Sequence, residues 1–360
     1  MKPSRRARES GELGLIRRLV AQLRAAPGTL IGPGDDAAVV RPRGALELVI
    51  TTDAAVDGVH YRRAWGKLRG IGARLPLMIG ARLAAANLSD LAAMGATPRW
   101  AVLSAGVTAR GVGGLERAER ALARALEREG AALVGGNLCR VEGPEWLSLT
   151  LIGELRPGHA LRRSGAKRGD WIAVTGAPGR AAAFVALANS GRGDRTLTAA
   201  WSRPPSRIAF ARTLAERGIA RGAIDISDGV AGDLAQLARA SGVAAEIDER
   251  LWPWDRLLER VGPLLGPRHA RSSRLGAGSG RALRLALGPS DDYELILAVP
   301  PARRAACERL AGAMGTPLAF VGRFTRGEPG AVVLSTAGRG RLAPAARAFD
   351  HFARTRKRQR

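Results

Sequence analysis

The chain has few cysteines, lysines, histidines or aromatic residues. Two cysteines, Cys139 and Cys307, stand among 360 residues. That excludes a disulfide framework and a cysteine-based zinc site, and makes a reducing, cytoplasmic setting the expectation. No run approaches eighteen uninterrupted apolar residues, and Met1 to Glu12 is polar and arginine-rich without the apolar stretch of a secretory leader. Neither secretion nor membrane insertion is therefore expected. The sequence contains no Gly-x-x-x-x-Gly-Lys-[Ser/Thr] element and no kinase-type glycine-rich loop followed by His-Arg-Asp, which removes P-loop and protein-kinase chemistry. It also offers no Ser-His-Asp or Cys-His set for nucleophilic catalysis.

With 46% hydrophobic and 25% charged residues, the composition is that of a packed globular protein. The length favours two domains. The formal charge of +25 resembles a nucleic-acid signal, yet only four of the 57 basic residues are lysine (Lys2, Lys67, Lys167, Lys357), and the arginines are scattered along the whole chain. Such scatter is a compositional bias more than a binding stripe, so nucleic acid is not the expected partner. The exceptions are Arg5 to Arg8 and the tail at residues 354–360, which read as solvated ends.

Apolar residues recur at helical spacing from Gly11 to Ala25, and Pro27-Gly28 ends that helix. A strand at 45–52, a helix at 75–94, a strand at 100–107, a helix at 114–129 and strands at 132–134 and 146–155 complete a first unit. Arg156-Pro157-Gly158 is a turn that opens a second. There the pattern gives a strand at 171–175, helices at 180–188, 206–217, 230–240 and 303–314, and strands at 223–226, 243–247, 293–299 and 318–321. Residues 252–280, rich in Arg, Gly and Ser, read as an irregular excursion. The fold class is α/β (α+β mixed), with domains at 1–156 and 157–353 and a basic tail at 354–360.

Acidic residues are scarce, 32 against 57 basic, yet many stand in short groups. These are Gly34-Asp35-Asp36, Thr51-Thr52-Asp53 with Asp57 behind it, Asn87-Leu88-Ser89-Asp90, Asp225-Ile226-Ser227-Asp228-Gly229 and Asp291-Asp292-Tyr293-Glu294. Each alone reads as well as a turn or a helix cap. Together they suggest carboxylates gathered at strand ends, where their repulsion is relieved by hard cations. Magnesium suits such oxygen donors and bridges to phosphates, and the hydroxyls of Thr51 and Thr52 would complement Asp53. Gly135-Gly136-Asn137 ends a strand and either lets a nucleotide approach the backbone or makes a tight turn. His60, in Asp57-Gly-Val-His60-Tyr, is either a substrate contact or a surface histidine.

Taken in order, Gly34-Asp35-Asp36-Ala37, Thr51-Thr52-Asp53, Asn87 to Ala96 (Asn-Leu-Ser-Asp-Leu-Ala-Ala-Met-Gly-Ala), Arg163 to Asp170, Asp225 to Gly229, Asp292-Tyr293-Glu294-Leu295 and Phe349-Asp350-His351-Phe352 resemble the thiamine-monophosphate kinase family. The likeness runs from about Gly11 to Phe352. The wider superfamily takes in aminoimidazole ribonucleotide synthetase and other ATP-using enzymes. The resemblance implies a two-domain, aminoimidazole ribonucleotide synthetase-like fold, with an N-terminal domain whose strands join a second subunit to form a dimeric β-barrel and a C-terminal α/β domain, the nucleotide lying between domains. It implies several magnesium ions held by Asp36, Thr51, Thr52, Asp53, Asp90, Asn137, Asp225 and Asp228. It further implies ATP contacts from Gly136, Asn137, Arg163 and Ser227, and contacts of His60, Asp291 and Phe349 with thiamine phosphate. Two departures stand out: Asn137 replaces the acid of a Gly-Gly-Asp element, and Gly288-Pro289-Ser290-Asp291-Asp292 replaces a Gly-Gly-Glu-Asp loop.

The implied chemistry is a direct in-line transfer of the γ-phosphoryl group of ATP to thiamine monophosphate, with Asp53 and Asp90 central. An anionic acceptor oxygen needs no strong general base, which agrees with a chain rich in grouped carboxylates. The alternatives are another ATP-dependent synthetase of the superfamily acting on a purine intermediate or similar small acceptor, and a basic nucleic-acid-binding protein on the same scaffold.

Overall fold

The computed structural model describes residues 28–31, 39–40, 42, 44–261, 279–336 and 339–342. The helix expected at Gly11–Ala25, Asp36, Phe349 and the basic ends lie outside them. The chain forms two compact units, one holding residues up to Arg162 together with Leu187–Ile219, the other Arg163–Ala186 with the chain from Ala220 onward. Relative to the boundary read at 156, the division falls at Arg162, and a later stretch returns to the first unit.

The first unit carries a short antiparallel pair, β1 (Thr29–Ile31) with β2 (Val39–Val40), and a four-stranded sheet. That sheet contains β3 (Glu47–Val56), β4 (Thr97–Val107), β5 (Ala132–Arg140) and β6 (Trp146–Leu155), in the order β3-β6-β4-β5. Its pairs are antiparallel except β4 with β5, which are joined by α2 (Val112–Arg128) as a parallel pair requires. Between β3 and β4 runs α1 (Leu75–Met94), an alanine- and leucine-rich helix with Pro at its start. Gly95 ends it in a left-handed conformation (φ 75°), the Gly95 and Ala96 amides closing onto the Ala92 and Leu91 carbonyls. This helix is long and apolar enough to span a membrane by composition alone, but most of its residues are buried in the unit's core. It packs on α2 at Gly80, where any side chain would strike the Ala118 backbone.

Burial alternates along β3. Val49, Thr51, Asp53 and Ala55 face the side covered by α1, whereas Leu48 (46% exposed), Ile50 (65% exposed) and Thr52 lie on the other face. Among the described residues this sheet does not close on itself into a barrel. Two more helices, α4 (Arg195–Ser202) and α5 (Ile208–Glu216), belong to this unit.

The second unit is built on a seven-stranded sheet of order β13-β12-β9-β11-β7-β10-β8. Its strands are β7 (Trp171–Thr175), β8 (Gly222–Asp225), β9 (Ala244–Asp248), β10 (Leu295–Val299), β11 (Leu318–Thr325), β12 (Val332–Thr336) and β13 (Arg339–Leu342). Only β12 with β9 is parallel. The wholly buried β10 occupies an interior place, as its unbroken Leu-Ile-Leu-Ala-Val run demands. Helices α6 (Val230–Ala240), α7 (Arg256–Val261), α8 (Ser279–Leu287) and α9 (Arg304–Ala313) accompany it, and α3 (Arg180–Asn189) carries the chain from this unit into the first.

Mixed α/β content in two units agrees with the expected class. The reading of 252–280 as wholly irregular is corrected. Asp255 accepts the Leu257 amide at 2.9 Å and starts α7, and α8 begins at Ser279. The short α4, capped by Asp194 accepting the Leu197 amide, and the β12–β13 hairpin were not anticipated.

Candidate active site

In the first unit, the β3 alternation brings Thr51 and Asp53 to the face covered by α1, and α1 presents Asp90. Thr51 Oγ1 donates to Asp90 Oδ2 at 2.5 Å. Burial, the nearby charge of Asp90 and a hydrogen bond to it push the Asp53 carboxyl up from 3.8 to about 7. Among the described residues no Arg or Lys forms an ion pair with either carboxylate. Two facing acids and a hydroxyl, lacking cationic relief, are a donor set that fits a hard divalent cation. The same residues do not converge with a third acid: among the described residues, no group of three or more His, Cys, Asp or Glu is placed to hold a metal.

Thr52, expected beside Thr51, occupies the opposite sheet face. Its hydroxyl donates to the Leu149 carbonyl at 3.1 Å and accepts from Thr150 Oγ1 at 3.2 Å. Gly136 and Asn137 are exposed on β5. Gly136 shares a cross-sheet row with Asp53 through Leu103 and Leu149, three strand spacings or about 14 Å away. A side chain at Gly136 would collide with the Leu103 carbonyl oxygen, so strand packing alone demands glycine there. His60 is exposed in a tight turn, its Nδ1 accepting the Val56 amide at 3.1 Å; that bond leaves the ring hydrogen of a neutral imidazole on Nε2. Arg63 braces this turn through Asp57 at 2.8 Å and Glu145 at 3.1 Å, and Glu145 also accepts the Thr108 amide and hydroxyl. Sequence reasoning missed Arg63, Thr108 and Glu145, because a residue far along the chain shows no local pattern.

In the second unit, Asp225 ends β8 and is 3% exposed. The next turn sets Ser227 exposed and Asp228 half-buried. Both of their amides donate to Asp233 Oδ2 at 3.0 Å. Burial pushes the Asp233 carboxyl up to about 7, against the lowering effect of those amides. Arg163, exposed, donates from Nη1 to Gln236 Oε1 at 3.2 Å. Asp291 is half-buried. Its neighbour Asp292 is buried and accepts the Gly179 amide at 2.6 Å, the Ala181 amide at 2.9 Å and Ser290 Oγ at 2.5 Å. Burial outweighs these bonds and pushes it up to about 6. Asp292 thus secures the Gly176–Gly179 turn at the start of α3. Tyr293 has φ 55°, the one non-glycine in the left-handed region among the described residues; such strain is held at sites the surroundings over-determine.

The AIR synthase related protein N-terminal domain family matches residues 34–155 and its C-terminal domain family matches residues 167–335. The thiamine-monophosphate kinase of Escherichia coli K12 is 34% identical over 322 residues, covering 88% of this chain and 90% of its own. This chain belongs to the thiamine-monophosphate kinase family. The crystal structure of the thiamine-monophosphate kinase from Stenotrophomonas maltophilia K279a superposes with a TM-score of 0.75 at 32% identity, covering 90% of this chain and 96% of that one. A ThiL structure complexed with AMPPCP and TMP shares the fold, with a TM-score of 0.65 at 24% identity over 94% of this chain and 99% of that one. The chain is accordingly a kinase of that family, and the Thr51–Asp53–Asp90 cluster lies within the span matched to the family's N-terminal domain.

Proposed function

We propose that the chain transfers the γ-phosphoryl group of ATP in line to the terminal phosphate of thiamine monophosphate, giving thiamine diphosphate and ADP. An acceptor phosphate oxygen forms the new bond to Pγ while the bond from Pγ to the β-phosphate bridging oxygen breaks, and ADP leaves with the electron pair. The acceptor is already anionic, so no proton need be removed. The protein's task is to hold two anions in line and offset their repulsion.

The observation that carries this reading is the pairing of Asp53 with Asp90 beside Thr51, in a chain whose relatives are thiamine-monophosphate kinases. Magnesium held by Asp53, Asp90 and Thr51, with Asp36, Asn137, Asp225 and Asp228 as further ligands, would neutralise the charge between donor and acceptor, whereas Thr52, on the opposite sheet face, is not one of these ligands. Gly136, Asn137, Arg163 and Ser227 take the nucleotide, and His60, Asp291 and Phe349 the thiamine phosphate. Functional domains at 1–156 and 157–353 accompany this assignment. A homodimer is supported by Leu48 and Ile50, exposed on one face of β3, since an apolar sheet face calls for a cover; a second copy supplying four more strands would close the barrel. A cytoplasmic setting is supported by two cysteines that remain thiols, Cys139 exposed and Cys307 buried.

Incubation with ATP, magnesium and thiamine monophosphate, followed by separation of thiamine phosphates, tests the reading. Thiamine diphosphate formed in step with ADP is the expected result. ADP without thiamine diphosphate, or turnover only with a purine intermediate, overturns it.

A further inference from the structure

Two side chains outside every ligand set above join Arg163 to the Ser227–Asp228 turn. Asp233 sits in the first turns of α6 and is buried, with Oδ2 accepting both the Ser227 and Asp228 amides at 3.0 Å. Gln236, three residues on and therefore on the same helix face, donates from Nε2 to Asp233 Oδ1 at 3.4 Å. Its other end, Oε1, accepts from Arg163 Nη1 at 3.2 Å. The amide is thus oriented, donor toward the carboxylate and acceptor toward the guanidinium, which is the arrangement a bridging glutamine requires.

The far end of the helix grips Arg163 a second time. Ser241, which follows α6, donates from Oγ to the Arg163 carbonyl at 2.7 Å and accepts the Ala166 amide at 3.0 Å. Gly165, in the same short turn, leaves no room for a side chain beside the Arg221 carbonyl. The Arg163 backbone is therefore fixed by Ser241 and its guanidinium by Gln236, while Asp233 fixes the turn carrying Ser227. At the start of α6, Gly229 (φ 98°) admits no side chain against the Gly288 carbonyl, which pins that turn as well.

Resting on the nucleotide assignment of Arg163 and Ser227 made above, we infer that Asp233 and Gln236 are positioning residues of the nucleotide site. Through them α6 sets the placement of the Arg163 guanidinium relative to the Ser227–Asp228 turn before ATP arrives. A guanidinium held in advance loses less conformational freedom on meeting a polyphosphate. The half-buried Gln236 adds little to the core, so it separates this role from a purely structural one.

The test is calorimetric titration of the full chain with AMPPCP and magnesium, alongside steady-state kinetics, for the unaltered protein, Gln236→Leu and Asp233→Ala. Gln236→Leu is expected to weaken AMPPCP roughly tenfold and raise KM for ATP by a similar factor, the size expected for one lost charge-assisted bond. KM for thiamine monophosphate and the melting temperature should stay put. Asp233→Ala should act in the same direction and more strongly; if it fails to fold, Gln236→Leu still decides. Unchanged AMPPCP affinity in folded Gln236→Leu overturns the inference, as does a parallel rise of both KM values with a lower melting temperature. If the unaltered chain binds AMPPCP, responds to Gln236→Leu and makes no thiamine diphosphate, the acceptor assignment falls and this inference stands. If the unaltered chain binds no AMPPCP, both fall.

Discussion

Thr51 Oγ1 donates to Asp90 Oδ2 at 2.5 Å, joining strand to helix across 39 residues of sequence. The bond holds the Asp90 carboxylate against Asp53, whose own carboxyl is pushed up to about 7 by burial and by Asp90. Keeping two acids together without a cation costs stability, so the arrangement makes sense as one that a cation completes.

Asp53→Asn and Asp90→Asn should therefore each lower kcat by about a hundredfold or more, since each removes half of the charge available to a cation. Both variants should melt no lower than the unaltered protein, because like-charge repulsion is relieved. Thr51→Val, which removes only the hydroxyl, should cost about tenfold. Steady-state kinetics at saturating magnesium with parallel melting curves check this; near-normal turnover in either asparagine variant would show that the acids do not serve the reaction.

Asn137 is exposed on β5 and offers a neutral oxygen where the resemblance places an acid. Ligand charge tunes affinity for hard cations. Asn137→Asp should lower the magnesium concentration giving half-maximal rate by about three- to tenfold, read from a magnesium titration of initial rates. A shift in the opposite direction, or none, would remove Asn137 from the metal-binding set.

Thr175 is fully buried on β7 and bridges two elements: its hydroxyl donates to Glu294 Oε2 at 2.6 Å and accepts the Leu295 amide at 2.9 Å. Thr175→Val keeps the shape and strips both bonds, taking a donor from the buried Glu294 carboxylate and an acceptor from the Leu295 amide. A loss of about 2–3 kcal/mol follows from the desolvation of such groups, measurable as a shift of the urea midpoint. A shift near zero would mean that Glu294 and Leu295 re-pair elsewhere.

Much of the fold was legible from periodicity alone. The α1 span at 75–94, β6 at 146–155, β7 at 171–175 and α6 at 230–240 have the bounds the pattern predicts, because each is apolar at a clear period and ends at glycine or a polar turn. The α4 helix was missed although Asp194 is a good cap, since eight residues give barely two turns of periodicity. The α7 and α8 helices hid among Arg, Gly and Ser. At the site, Thr51, Thr52 and Asp53 read in sequence as one ligand group, although strand alternation sends Thr52 to the face opposite Thr51 and Asp53. Asp90 as the partner of Asp53 comes from the family resemblance and not from any local pattern, because the approach of α1 to β3 is a tertiary fact. Asp233 was overlooked for a similar reason: an acid in the first turns of a helix looks like ordinary dipole compensation, and only the backbone of the preceding turn reveals what it holds.

Glu119 supplies a prediction away from the site. It lies on α2, is 1% exposed, and neither carboxylate oxygen has a hydrogen-bond partner among the described residues. Burial pushes its carboxyl from 4.5 to about 7, with Arg120 opposing and Glu116 and Glu127 assisting. A carboxyl raised on folding favours the folded state fully below 4.5. That advantage is lost as pH climbs through 7, because the folded chain must then ionise a group that the unfolded chain ionises freely. Relaxation around the charge softens the cost of ionising it in place, which leaves a penalty above pH 7 on the order of 2 kcal/mol. Glu119→Leu removes it and fills the site with apolar volume. The variant should melt several degrees higher at pH 8, gain much less at pH 5, and keep its kcat. Melting curves at both pH values decide the matter: an equal gain at both would trace the effect to packing, and a loss at pH 8 would mean the ionised carboxylate is held by a favourable contact.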